Sequence, residues 1–304
     1  MSEPTTRKKI RISDNLLGVL LVLPAFLIIA VMMLIPLAQT FYISLFDMKI
    51  SNLVQGVYVG LGNYKKIFQS FLPSFFQDVL PATFYFVFGS VFFQIACGLV
   101  LALLLHQKFV KGREFFRAIF ILPWITSRVV TGISWRFMYE PRVGVVNLLL
   151  KKIGISNVPQ WLNSLTWVMP AVIIANVWQG TAFSFIMQTA GLQSIPEEVY
   201  EAAKVDGASG WQQFVYITFP LMKPFVMINT ILTSMSTVNF FGLIMVMTGG
   251  GPMYKTEVIS MYMYNQAFKF GYIGVGSAVA VLILLLNLIL TLVYMRINPS
   301  WSEV

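Results

Sequence analysis

Apolar runs separated by short polar breaks divide the chain into six long segments, at about Leu16–Phe46, Leu80–His106, Phe115–Tyr139, Trp167–Leu192, Pro224–Met247 and Ile273–Arg296. Each run, coiled as a helix, is long enough to cross roughly 30 Å of hydrocarbon. The pattern predicts an all-α, multi-pass membrane protein with about six transmembrane helices. Arg7, Lys8, Lys9 and Arg11 precede the first run, and no small-residue cleavage site follows it. That run is therefore expected to be a retained helix instead of a signal peptide.

One amphipathic interruption stands apart, from Ser194 to Ala208. Ser194 with Glu197 three residues later fits a capping box, Pro196 falls in the first turn, and Ile195, Val199, Ala202 and Ala203 make one apolar stripe. Asp206-Gly207 predicts a tight turn, after which Ser209-Gly210-Trp211-Gln212 repeats the capping pattern. The second helix carries Trp211, Phe214, Val215 and Thr218 on one face. Two helices around a glycine form a bracket whose small alanines, rimmed by glutamates, suit insertion into a groove on a partner protein.

Composition agrees with a membrane solvent, since 57% of the 304 residues are hydrophobic, only 11% are charged, and the mean hydropathy is +0.76. Charge then orients the chain. Basic residues cluster in the N-terminal segment, 1–14, and in the loop after the second run, at Lys108, Lys111, Arg113 and Arg117, so both are expected in the cytoplasm. Six crossings place the tail, 298–304, and the bracket on that same side. Lysines and arginines in the opposite loops, such as Lys49, Lys65, Lys66 and Arg142, weaken the asymmetry. The net charge of +9 reads as membrane anchoring and not as a nucleic-acid surface, because no basic patch is interleaved with aromatics for base stacking. Cys97 is a lone cysteine within a span. The chain has no phosphate loop, and His106 is its only histidine, so neither ATP hydrolysis nor zinc chemistry is expected here. Energy must come from another chain, and this one is expected not to be an enzyme or to hold a metal or cofactor.

Glu201-Ala202-Ala203, with Asp206-Gly207-Ala208, Ile217 and Pro220, resembles the EAA loop of binding-protein-dependent ABC importer permeases of the type I fold. Gly60-Leu61-Gly62-Asn63-Tyr64, Trp135, Gly144-Val145-Val146-Asn147 and Thr248-Gly249-Gly250-Gly251-Pro252 are similar to the carbohydrate branch of that family. The resemblance covers most of a permease domain at 15–297, with the coupling loop at about 194–220. It departs at Phe219, where leucine is usual, and at Arg128, where a small residue or proline is. It implies two permease subunits as a heterodimer, two cytoplasmic ATPase subunits that bind ATP and Mg, an external or periplasmic solute-binding protein, and a bacterial or archaeal cell membrane. It also implies that Glu201, Ala202, Ala203, Asp206 and Gly207 couple to the ATPase: the glutamate pairs with a basic groove residue, the alanines allow close packing and the glycine shapes the turn.

Polar groups at mid-bilayer depth are costly and mark solute paths. Asn176, Trp178, Gln179, Gly180 and Phe183 in the fourth run, and Thr233, Thr237, Asn239 and Phe240 in the fifth, combine amides, hydroxyls and rings. That mixture suits the hydroxyls and apolar face of a sugar, and the resemblance implies maltose contacts at Asn176, Gly180, Phe183, Thr233 and Thr237. Hydroxyls in membrane helices also bond their own backbone. Arg136 lies near enough to the outer boundary to snorkel. Arg128 lies deeper and is expected to face a cavity, a carboxylate or backbone carbonyls, either for an acidic sugar or for helix-end pairing between permeases. Glycerol phosphate or a polyol is the alternative solute. A secondary transporter needs carboxylates in its spans, which are lacking, and a channel needs no docking bracket.

Overall fold

The computed structural model describes residues 14–107 and 110–297. The expected terminal segments fall almost wholly outside that range, as does Lys108. Among the described residues five helices are long and apolar enough to cross a membrane, and a bent pair makes up to six. Helix α1, Asp14–Ser44, is apolar all round, exposed along most of its length, and packs mainly against α13, Ile273–Ile297, with a smaller contact to the strand that follows it. Such a helix is stable because lipid is its solvent.

The centre of the fold is a parallel pair, α3 (Leu80–His106) and α7 (Val168–Gln193). Small residues let the backbones approach: a methyl on Gly89 would meet Ile173, and one on Gly98 would lie 2.6 Å from Cβ of Ser184 and 2.9 Å from the Phe185 nitrogen. Contacts advance along both helices together, ending in a cluster of Ala102, Leu105, Leu192 and Ile195. His106 and Gln193 therefore lie at the same end of the molecule.

The helices do not all follow the apolar runs. The third run is broken into α4, Arg113–Ile125, and α5, Arg128–Met138, which meet at 99°. Thr126 and Ser127 between them are extended, with ψ of 135° and 140°. The carbonyl that the break releases at Thr126 accepts Nε2 of Gln179 at 2.7 Å, which is how irregular backbone survives at membrane depth.

The expected fifth span, Pro224–Met247, is also displaced. Helix α9, Gly210–Gln213, runs through a π turn at Phe214–Thr218 into α10, Phe219–Val238, as one apolar helix of 29 residues from Gly210 to Val238. It stops where Nδ2 of Asn239 takes the Met235 carbonyl at 2.7 Å. The chain then folds into a separate α11, Gly242–Met247, packed on α5. There, Arg136 donates to the Val246 carbonyl instead of simply snorkelling.

The expectation of purely helical structure needs one amendment. After α1 comes a hairpin of β1, Phe46–Lys49, and β2, Asn52–Tyr58, pairing Phe46 with Tyr58 and Lys49 with Asn52. Fully buried Asn63, at the start of α2 (Gly62–Phe68), fixes it by donating to the carbonyls of Ser44 and Phe46, both at 2.8 Å. A π turn at Phe75–Val79, α6 (Val145–Lys152), and α12 (Ile259–Tyr264) with a π turn at Asn265–Lys269 complete the structure.

Candidate solute path and coupling bracket

Near the middle of α3 and α7, the broken third span, α7 and α10 converge on a cavity of about 410 Å³. Gln94 lines it from α3, Trp124, Thr126, Ser127 and Arg128 from the break, and Asn176, Gln179, Gly180 and Phe183 from α7. Leu232, Thr233, Ser236 and Thr237 of α10, with Phe240 beyond it, close the other side. Eight of the residues singled out from sequence meet here: Arg128, Asn176, Gln179, Gly180, Phe183, Thr233, Thr237 and Phe240. Two do not. Asn239 is exposed and spent on capping α10, and Trp178 points away to meet Trp135 edge to face at 6.1 Å.

Gln94 was missed, although a solitary amide in an apolar run carries the signal used for Asn176 and Gln179. Its Nε2 donates to the Asn176 carbonyl at 3.3 Å, and Gly180 provides the space for its head group. Nδ2 of Asn176 and Oε1 of Gln179 are buried without a hydrogen-bond partner among the described residues. Both belong to residues that line the cavity, with less than 1 Å² of accessible surface on either atom, so a donor and an acceptor lie unspent in its wall. Thr233 is partly committed, donating to Oδ1 of Asn229 at 3.1 Å. The rings of Phe183 and Trp124 lie 6.0 Å apart and supply apolar wall. Arg128 begins α5 with its guanidinium carbon 4.4 Å from the Phe240 ring centroid.

The bracket occupies the end of the molecule shared by His106 and Gln193. Helix α8, Glu197–Val205, has no buried residue. The first expected capping box does not form: the Ser194 hydroxyl instead donates to the Gly191 carbonyl at 2.8 Å, and Pro196 is the N-cap. The C-terminus of α7 offers orphan carbonyls one turn away, and the hydroxyl answers those. The second box forms, with Gln212 N donating to Ser209 Oγ at 3.3 Å and Ser209 N to Gln212 Oε1 at 2.7 Å. Helix α8 ends at Val205 with Asp206 as its C-cap, and Gly207 follows with a φ of 78°. Ala208 N donates to Ala203 O at 2.9 Å and Gly207 N to Lys204 O at 3.1 Å, the paired bonds of a Schellman cap. Only Ile195 of the apolar stripe enters the core, while Val199, Glu201, Ala202, Asp206 and Gly207 face outward and Ala203 is half-buried. The hydroxyls of Tyr200 and Thr218, 3.0 Å apart, tie α8 to the base of α10.

Known proteins are similar to this chain. The chain is 35% identical over 289 residues to the trehalose/maltose transport system permease protein MalF of Thermococcus litoralis, covering 95% of this chain and 96% of that one. It is 33% identical to the sulfoquinovosyl glycerol transport system permease protein SmoG of Agrobacterium fabrum, over 97% of this chain and 94% of that one. It is 32% identical to the lactose transport system permease protein LacF of Rhizobium radiobacter, over 88% of each. Among solved structures, a chain of a bacterial alginate ABC transporter in complex with an alginate pentasaccharide-bound periplasmic protein superposes with a TM-score of 0.79 at 25% identity, covering 95% of this chain and 96% of that one. With residues 7–303 matching the family of binding-protein-dependent transport system inner membrane components, the chain belongs to that family of ABC importer permeases.

Proposed function

We propose that this chain is the membrane permease subunit of an ABC importer for a sugar, and that it forms half of the translocation path. The observation that carries the reading is mechanical. Bracket α8 lies between the inner ends of α7 and α9–α10, and those two helices bear Asn176 to Phe183 and Thr233 to Thr237 of the cavity wall. A force on α8 therefore moves both sides of the cavity, a hinge-type route to alternating access. Amides, hydroxyls and aromatic faces at mid-depth fit a sugar, and relatives named for trehalose/maltose and lactose transport support that class.

The outward stripe of α8 docks into a cytoplasmic ABC ATPase, with Glu201 at the rim and Ala202 and Ala203 at the contact. Two such ATPases bind ATP and Mg, a second permease subunit completes the path as a heterodimer, and an external binding protein delivers the sugar. The termini and the bracket face the cytoplasm of a bacterial or archaeal cell.

Affinity purification of the tagged chain from its native membrane tests this. A second permease and an ATPase chain should copurify, and the complex should hydrolyse ATP faster with sugar-loaded binding protein. Uptake by this chain alone, driven by an ion gradient, would contradict the assignment.

A further inference from the structure

The cavity has an unbalanced charge. Among the side chains that line it, Arg128 is the only charged one, and among the described residues no carboxylate pairs with it. Its guanidinium is held against the ring of Phe240, itself buried, and a guanidinium stacked on a ring still carries its N–H donors around its edge. Arg128 is also the first residue of the 11-residue α5, where Ser127 makes no side-chain cap, so the positive end of that helix adds to the same sign. Independently, Asn176 and Gln179 are more than nine-tenths buried, with exposures of 3% and 7%, and hold an unpartnered Nδ2 and Oε1 on the same cavity. Gln179 also fixes the Thr126 carbonyl beside Arg128, which couples the amide to the position of the charge.

A neutral sugar would engage the two amides and leave the Arg128 guanidinium, exposed on the open side of the cavity, without an anionic partner. A sugar bearing an anionic group satisfies all three. Building on the sugar-importer reading, we propose that the cavity takes an acidic sugar, one bearing a carboxylate or phosphate, whose anionic group meets Arg128 while its hydroxyls meet Asn176 and Gln179. Asn176 Nδ2 donates to a hydroxyl oxygen, and Gln179 Oε1 accepts from a hydroxyl.

The test is equilibrium binding to the purified permease–ATPase complex in nanodiscs, without the external binding protein, so that only the membrane cavity selects. Saturation-transfer NMR, which reads weak complexes, compares digalacturonate with the neutral digalactose of the same linkage, and glucose 6-phosphate with glucose. In the parent complex both acidic members should bind at least about tenfold more tightly than their neutral counterparts, with the preference shrinking as salt rises. Arg128→Gln should erase the preference, while Arg128→Lys should keep part of it. A preference for only the carboxylate or only the phosphate member names the anionic group. Equal binding of acidic and neutral sugars by the parent, or a preference that survives in Arg128→Gln, overturns the proposal and leaves the sugar-importer reading standing. Neutral binding lost together with acidic binding in Arg128→Gln, along with loss of the second permease on purification, assigns Arg128 to pairing between permeases and also overturns it. Binding of none of the four sugars by the parent overturns the proposal.

Discussion

Gly180 and Gln94 are a single unit within the cavity wall. A methyl on Gly180 falls on the amide of Gln94, the movable end of a long side chain, so the substitution displaces that amide and not the helices. Gly180→Ala should therefore weaken sugar binding by pushing Gln94 off the Asn176 carbonyl and into the cavity. Adding Gln94→Ala should recover part of the loss, with a coupling energy of about 1 kcal/mol in a double-mutant cycle on sugar affinity. Strictly additive effects would show that the two do not share the space. At this scale much of the site was legible, because amides and hydroxyls stand out in hydrocarbon-length runs. What patterning left open was their direction. Asn239 is one turn beyond Met235 and belongs to the end of α10, and Trp178 is two residues from Asn176 and so lies on another face of α7.

Elements were less legible than residues wherever backbone geometry, and not hydropathy, sets the boundary. The run from Phe115 to Tyr139 is predominantly apolar despite Arg117, Arg128 and Arg136, and its hydropathy alone does not distinguish a straight helix from two at 99° with an extended Thr126-Ser127 between them. The hairpin after α1 depends on Asn63, a tertiary contact that no local pattern reports. The turn of the bracket was visible, because Asp206-Gly207 supplies the left-handed residue that a Schellman cap requires. The loop between α11 and α12 carries a prediction of its own. Buried Glu257 accepts a hydrogen bond from Asn265 at 2.8 Å, yet burial raises its carboxyl above the ordinary 4.5, outweighing the opposing effects of Asn265 and the Lys269 charge. An acid raised in the folded state binds more protons folded than unfolded, so its contribution to stability is greatest at low pH and falls as pH rises from about 4.5 through the folded value. Glu257→Gln keeps an acceptor for Asn265 and removes the charge. Thermal melts of the complex should find the variant more stable than the parent at pH 7, with the gap closing toward pH 4.5. A gap independent of pH would remove the titration argument.

For the whole molecule, the parallel course of α3 and α7 puts the loop after α3 and the bracket at one end, and the loop bearing Lys255 at the other. In a Cys97→Ser background, Val205→Cys should resist an impermeant thiol reagent in intact cells and Lys255→Cys should react, since both side chains are exposed. The reverse labelling would invert the orientation. The central claim is that α8 transmits work from an ATPase to the cavity, and coupled uptake tests it most directly. Proteoliposomes holding the complete complex, ATP inside and sugar-loaded binding protein outside, are compared for parent, Glu201→Lys, Gly207→Val and Gly207→Asn. Glu201→Lys reverses a charge at the proposed docking rim and should reduce uptake by about tenfold or more. Gly207 has open space around it but a φ of 78°, so valine should impair uptake through backbone strain of about 1 kcal/mol or more, while asparagine, which tolerates that conformation, should remain near the parent. Sugar binding to the cavity should be unchanged in all three. Full coupled uptake by Glu201→Lys and Gly207→Val would contradict the account.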